Sequence, residues 1–138
     1  MADLIPSGTK IQASASAPGT RRASVLAEDD EAWTAPSSPA HLVLGFPAPI
    51  TPARIALTFQ GGFVALSILV SVRRDGENGF EAAGRVYPED VNRRQVLSLP
   101  YPDAADAPAI TALRLDLENS SDHHGRVTLY RLELLPPA

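Results

Sequence analysis

The sequence contains no cysteine and only one lysine, and each scarcity excludes a class of protein. Without cysteine there is no disulfide and no thiolate metal site, which is typical of a reducing compartment. Lys10 is the only lysine, and 12 basic residues against 16 acidic ones give a net charge of -4. Because nucleic-acid binding usually needs a basic stripe, we expect no nucleic-acid partner.

Long apolar runs are also absent. No run approaches the roughly 18 residues of a membrane-spanning helix, so we expect no membrane partner. The opening segment MADLIPSGTK lacks the basic flank and apolar run of a secretory signal. These features favour an intracellular protein. The 138 residues are most simply one domain, with residues 1–8 as a loose N-terminus.

What the chain does contain is alternation of apolar and polar residues. Residues 54–60 place Ile55, Leu57 and Phe59 on one face, residues 65–72 repeat the period of two, and Gly61-Gly62 separates them. Further strands are predicted at 10–15, 41–46, 80–87, 95–99, 113–118 and 126–135, with one helical turn at 21–27. Asp-Gly and Asn-Gly pairs within 75–79 predict a hairpin. The pattern predicts an all-β protein of about eight strands, an antiparallel β-sandwich of the jelly-roll type.

Two segments carry further expectations. Trp33, the only tryptophan, follows a polar loop of acidic residues at 28–31, and we expect its ring to pin that loop onto the core. In the last strand Val127 and Leu129 have one parity whereas Leu132 and Leu134 have the other. This strand therefore contains a bulge or is buried on both faces.

Several motifs together resemble the discoidin or galactose-binding-like jelly rolls. The acidic loop before Trp33, the segment 71–80 and the terminal strand 126–135 are each similar to a segment of that family. Within it, FQGGF at 59–63, YPED at 87–90 and HGRV at 124–127 resemble the small intracellular nuclear receptor-associated proteins. The resemblance implies a non-catalytic protein-protein interaction module with a protein partner, such as a nuclear receptor or a multi-subunit complex.

Metal and cofactor sites are weak in this sequence. Extracellular relatives of this fold hold calcium beneath the acidic loop and use a glutamate of the last strand, where this chain has Arg131. A cation there opposes a second cation, so we expect no structural calcium and no other cofactor. Adjacent His123 and His124 on a strand would point to opposite faces, and a polar turn is the better interpretation than a metal site.

No catalytic motif supports an enzyme. The chain has no GxSxG elbow, no HExxH and no GxxxxGK[ST] loop, and Gly61-Gly62 is interpreted as a turn between strands. The leading hypothesis is a small subunit or regulator whose contacts lie on the loops around Trp33, Gly61-Gly62-Phe63 and 87–90. Phe63 and Tyr87 are the candidate anchors, although either could be a core residue. The alternatives are a carbohydrate-binding module, or a subunit of a ciliary transport, axonemal or ubiquitin-ligase assembly, which would allow a location in the cilium.

Overall fold

The computed structural model describes residues 3–28, 30–101 and 106–138, and within these ranges the protein has nine strands and one short helix. The strands are β1 (Lys10–Ala13), β2 (Trp33–Ala35), β3 (Ala40–Ile50), β4 (Arg54–Phe59), β5 (Ala65–Arg74), β6 (Glu81–Val86), β7 (Arg94–Ser98), β8 (Ile110–Ser120) and β9 (Val127–Leu135). A 3-10 helix, η1 (Arg22–Leu26), lies between β1 and β2. The sequence does not predict β2, which directly follows the acidic loop.

The strands form two antiparallel sheets. One has five strands in the order β1-β3-β8-β5-β6, and the other has four in the order β2-β9-β4-β7. Neighbours in each sheet are mostly distant in sequence, as in β3 with β8 and β4 with β9. This arrangement confirms the predicted all-β jelly-roll sandwich.

The core lies between the sheets and is built from the alternating apolar residues. Leu113, Leu115 and Leu117 on β8 are at most 1% exposed. Arg114 and Asp116, at the intervening positions of the same strand, form an ion pair of 3.0 Å on the outer face. Because successive side chains of a strand point to opposite faces, one strand supplies both the core and the polar surface.

The double glycine joins the two sheets. β4 belongs to the four-stranded sheet and β5 to the five-stranded sheet, so the chain crosses the sandwich at Gly61-Gly62. Gly62 has φ of 87°, in the region that glycine adopts readily. The turn is therefore a crossover between layers, and β4 and β5 are not hydrogen-bonded to each other.

Two features of the sheets, a hairpin and a bulge, agree with the sequence. β5 and β6 form the predicted hairpin, with Ile68 opposite Val86. Along β4 and β9 the register passes from Thr58 opposite Arg131 to Phe59 opposite Leu129. Tyr130 is left between these two pairs, which confirms the bulge as the reason for the change of parity.

Two expectations need correction. In the described part of the N-terminus the chain is not loose, because Leu4 N donates to Leu134 O at 2.7 Å and Leu134 N donates to the Asp3 carboxylate at 3.0 Å. Residues 1 and 2 lie outside the described ranges.

β3 also continues beyond residue 46 through two prolines. It can do so because its pairing with β8 is irregular between Gly45 and Ile50, where no ladder donor is needed.

Candidate functional site

Three connections meet at one end of the sandwich, and we call this surface the loop end. It comprises residues 60–64 between β4 and β5, residues 87–93 between β6 and β7, and residues 120–126 around the turn between β8 and β9. The first of these connections lies between the other two. The loop end contains four of the five binding residues predicted from the sequence.

Backbone donors of the double glycine join the first two connections. Gly61 N donates to Asn92 Oδ1 at 2.9 Å, and Gly62 N donates to Asp90 Oδ1 at 2.8 Å. A Cβ at Gly61 would lie 3.1 Å from the Cβ of Asn92, so the approach is close. The turn therefore positions the 87–93 connection as well as reversing the chain.

The third connection is fastened to the same segment. Val64 N donates to Ser121 Oγ at 2.9 Å, and Ser121 N donates to Val64 O at 2.8 Å. Thr128 N, on β9, donates to Phe63 O at 2.9 Å. Residues 60–64 are thus held by hydrogen bonds on both sides, which reduces the conformational freedom of all three connections.

Phe63 lies at the centre of the loop end. Its side chain is half-buried and is not part of the hydrophobic core. The Arg126 guanidinium lies over the ring, 5.2 Å from its centroid, and is held by Asp122 at 2.8 Å. A cation over an aromatic face is attracted by the ring quadrupole, so Arg126 orients the ring and leaves part of it open to solvent.

Tyr87 is the most exposed large hydrophobic residue described, at 66%. It directly follows β6, whose Arg85 forms an ion pair of 2.9 Å with Glu118. The hydrogen bond from Arg85 lowers the pKa of the Glu118 carboxyl, and a second hydrogen bond from Ser67 acts in the same direction. Tyr87 therefore stands beside a fixed charged pair, outside the core.

Trp33 has a different place from the other candidates. Its side chain is fully buried, as expected of a ring that pins a loop, and Nε1 donates to Ser16 Oγ at 2.9 Å. β2 runs toward the loop end, because Ala35 is paired with Val127 at the start of β9. The connection that reaches this end is therefore 36–39, where a Cβ at Gly125 would lie 3.0 Å from Ser38 Oγ.

One residue of the acidic loop before Trp33 forms an ion pair with Arg131. Arg131 Nη2 lies 3.2 Å from Glu28 Oε1, and Arg131 Nε lies 3.6 Å from Glu133 Oε1. Arg131, which stands where the resemblance implies a glutamate, thus pairs with one carboxylate of the loop and one of β9. Asp29, also part of the predicted loop, lies outside the described residues.

The histidine pair lies in the turn between β8 and β9. The rings of His123 and His124 pack edge to face with centroids 5.2 Å apart, while His41 lies on β3 beside Arg114. Over the ranges 3–28, 30–101 and 106–138, no group of three or more His, Asp or Glu side chains is arranged to hold a metal ion. In the same ranges, no helix combines the length and apolar character of a membrane span.

Some residues of the loop end were missed by sequence reasoning. Asn92, Ser121 and Arg126 had no predicted role, although Arg126 belongs to the HGRV segment that carried the family resemblance. Polar residues are common in loops, so the sequence alone does not single out these three. Their contacts depend on the crossover that brings distant connections together.

A pH-dependent contribution to stability is expected from Asp122. Hydrogen bonding to the Arg126 side chain, with smaller help from its backbone N–H, lowers the pKa of this carboxyl from 3.8 to about 2. A depressed folded-state pKa stabilises the fold above the unfolded value, and this stabilisation is lost as pH falls from about 4 to about 2.

Wild type should therefore be more stable than Asp122→Asn near neutral pH. The stabilities of the two proteins should converge as the solution is acidified toward pH ~2. Denaturant titrations at several pH values would measure the difference. A carboxyl NMR titration with a midpoint near the ordinary value of ~3.9 would contradict the assignment.

Comparison with solved structures identifies the class of fold. A carbohydrate-binding module of Clostridium perfringens, CpGH89CBM32-5, solved with GalNAc-beta-1,3-galactose, superposes with a TM-score of 0.78 at 13% identity, covering 97% of this chain and 99% of that one. The family 32 module of C. perfringens NanJ, solved with galactose, has a TM-score of 0.76 at 12% identity, covering 96% of both chains. At these identities the likeness shows the fold alone, a galactose-binding-like jelly roll of the discoidin type.

Comparison with curated sequences narrows the class to one family. The nuclear receptor 2C2-associated protein of Mus musculus is 30% identical over 112 residues, which cover 78% of this chain and 73% of the relative. The Danio rerio protein of the same name is 36% identical over 94 residues, 68% of this chain and 62% of that protein's length. No protein-family model matches the sequence. The chain belongs to the nuclear receptor 2C2-associated protein family.

Proposed function

We propose that this protein is a non-catalytic module that binds another protein through the loop end, as a small subunit or regulator of a larger assembly inside the cell. The observation that carries the proposal is membership of a family named for association with a nuclear receptor. The name of the relatives makes a nuclear receptor the first candidate partner, in the nucleus or cytoplasm. The non-catalytic role is supported by that name and by structural neighbours that are carbohydrate-binding modules.

The loop end has the features of a binding surface. Aromatic residues and arginine are enriched where proteins meet, and here Tyr87 is 66% exposed while Phe63 is half-buried under Arg126. A surface whose connections are already fixed loses little conformational entropy on association. The hydrogen bonds from Gly61, Gly62 and Val64 provide that fixation.

Charged residues surround these rings. Glu89, Asp90 and Arg93 are exposed in the 87–93 connection, and Asp122 with Arg126 forms the pair on the other side. A polar rim around a small number of aromatic anchors is the usual anatomy of a transient protein interface. Rim charges of both signs would contribute more to partner choice than to affinity.

A double substitution tests this proposal. Phe63→Ser with Tyr87→Ser should abolish capture of the partner and leave thermal stability nearly unchanged, because neither ring is part of the core cluster. Wild type and the variant would be used as baits in extracts of the source cell, with mass spectrometry of the captured proteins. Purified nuclear receptor 2C2 would be used as the named candidate.

Phe80→Ser is a matched control. Phe80 is 41% exposed and lies 5.9 Å from an arginine, Arg73, as Phe63 lies under Arg126, but it is located at the hairpin of β5 and β6, at the opposite end of the sandwich. The control should retain the partner. Loss of the fold in the double variant, or retention of every partner by it, would overturn the loop-end assignment. Failure of the receptor alone to bind would remove that candidate and leave the loop end as the interface.

A further inference from the structure

A cleft lies apart from the loop end, between β1 and η1. Its volume is about 330 Å³, and its lining includes Ile11, Ser16, Thr20, Arg21 and Arg22. None of these residues belongs to the connections at 60–64, 87–93 or 120–126. Ligand binding in this cleft would therefore not use the residues of the loop end.

Arg22 is fixed at the edge of the cleft. Its Nε donates to Ile11 O at 2.8 Å, and Ile11 lies on β1, which among the described strands pairs only with β3. The contact therefore satisfies a carbonyl on the free edge of the sheet. It also orients the guanidinium, because one of its five N–H groups is committed and the planar group turns with it.

The other guanidinium donors of the cleft are unused. Within the described residues, no hydrogen bond or ion pair engages the Nη atoms of Arg22 or the side chain of Arg21. Both side chains are exposed at the rim. Since neither arginine has a carboxylate partner among the described residues, their two positive charges repel each other and are left uncompensated there.

Ser16 supplies a neutral donor. The indole N–H of Trp33 is a donor only, so at 2.9 Å the Ser16 hydroxyl oxygen is the acceptor and its own hydrogen remains available. Thr20 is already engaged, since Oγ1 donates to Ala17 O at 2.8 Å and accepts from Thr34 N at 3.3 Å. Among the described residues, the lining thus combines two cations and a hydroxyl donor with no acid.

We propose that this cleft binds a phosphate group carried as a monoester. Guanidinium groups present paired donors that match the oxygens of a phosphate, and a dianion balances two arginines where a single carboxylate balances one. The volume of the cleft leaves room for the group that carries the phosphate. The same chemistry is available from a small phosphorylated molecule or from a phosphorylated side chain of a partner protein.

The test is a titration followed by two-dimensional amide NMR at constant ionic strength. Inorganic phosphate should produce saturable shifts confined to residues 16 and 20–23, whereas acetate at the same concentration should not. Glycerol phosphate and a phosphoserine peptide are then compared, and tighter binding of one of them identifies the source of the group.

Arg21→Gln should weaken phosphate binding by roughly tenfold, as expected from removal of charged hydrogen bonds. Arg74→Gln removes an equal charge from an exposed arginine at the end of β5, outside the cleft and the loop end, and should have no effect. Arg22→Gln is a second variant, with a thermal melt to detect loosening of β1. Shifts that do not saturate, equal responses to acetate, or equal effects of Arg21→Gln and Arg74→Gln would overturn the proposal.

Discussion

Replacing Trp33 with alanine should destabilise the protein by about 3 to 5 kcal/mol, the usual cost of truncating a large buried ring. Trp33 is fully buried on β2, opposite Leu129 of β9. Its removal would leave a cavity where η1, β2 and β9 meet. Since a domain of this size is stable by only about 5 to 15 kcal/mol, this one substitution removes a large part of its stability.

The measurement is a denaturant midpoint followed by far-UV circular dichroism. Fluorescence is unsuitable, because Trp33 is the only tryptophan and the variant loses the signal. Trp33→Phe keeps an aromatic ring but removes the N–H that binds Ser16, and should cost much less. A midpoint of Trp33→Ala equal to that of wild type would contradict the packing role.

Leu115→Ala should destabilise the protein by roughly 2 to 5 kcal/mol, the range observed for buried leucines. Leu115 is 0% exposed on β8, the middle strand of the five-stranded sheet. It lies opposite Leu42 of β3 on one side and Val70 of β5 on the other, so the cavity would open between two strand pairs.

Leu66→Ala is the matched control, because Leu66 is a leucine of the neighbouring strand β5 with 37% exposure. Its truncation should change stability by less than about 1 kcal/mol. If the two variants unfold at the same denaturant concentration with equal slopes, the orientation of β8 must differ from the one described.

The fold could be predicted from the sequence because alternation is a local property. The period of two predicts the apolar positions of β4, β5 and β8, and their core-facing residues are buried with one exception. Leu66 has the parity of Ile68 and Val70 but is 37% exposed near the start of β5. β2 was missed because a strand of three residues is too short to show a period. The assignment of β4 and β5 to different sheets was also missed, since alternation is the same in either sheet.

The site was less accessible to sequence reasoning. Phe63 and Tyr87 could be chosen as aromatic residues near turns, but whether they belong to the core depends on tertiary packing. The hydrogen bonds that fix the loop end join residues 28 to 65 positions apart, as in Gly62 with Asp90 and Phe63 with Thr128. No local pattern encodes such pairs, because they exist only after the two sheets have stacked.

The hydrogen bonds of residues 3 and 4 with Leu134 place the two ends of the described chain side by side. β9 starts at the loop end and reaches Leu134 after seven further residues, so this junction lies roughly 23 Å away from the proposed interface. A protein fused to either end would leave the sandwich from the same pole and would not obstruct the loops. The proximity of the ends also favours circular permutation, in which a short linker joins them and new ends are opened elsewhere on the surface.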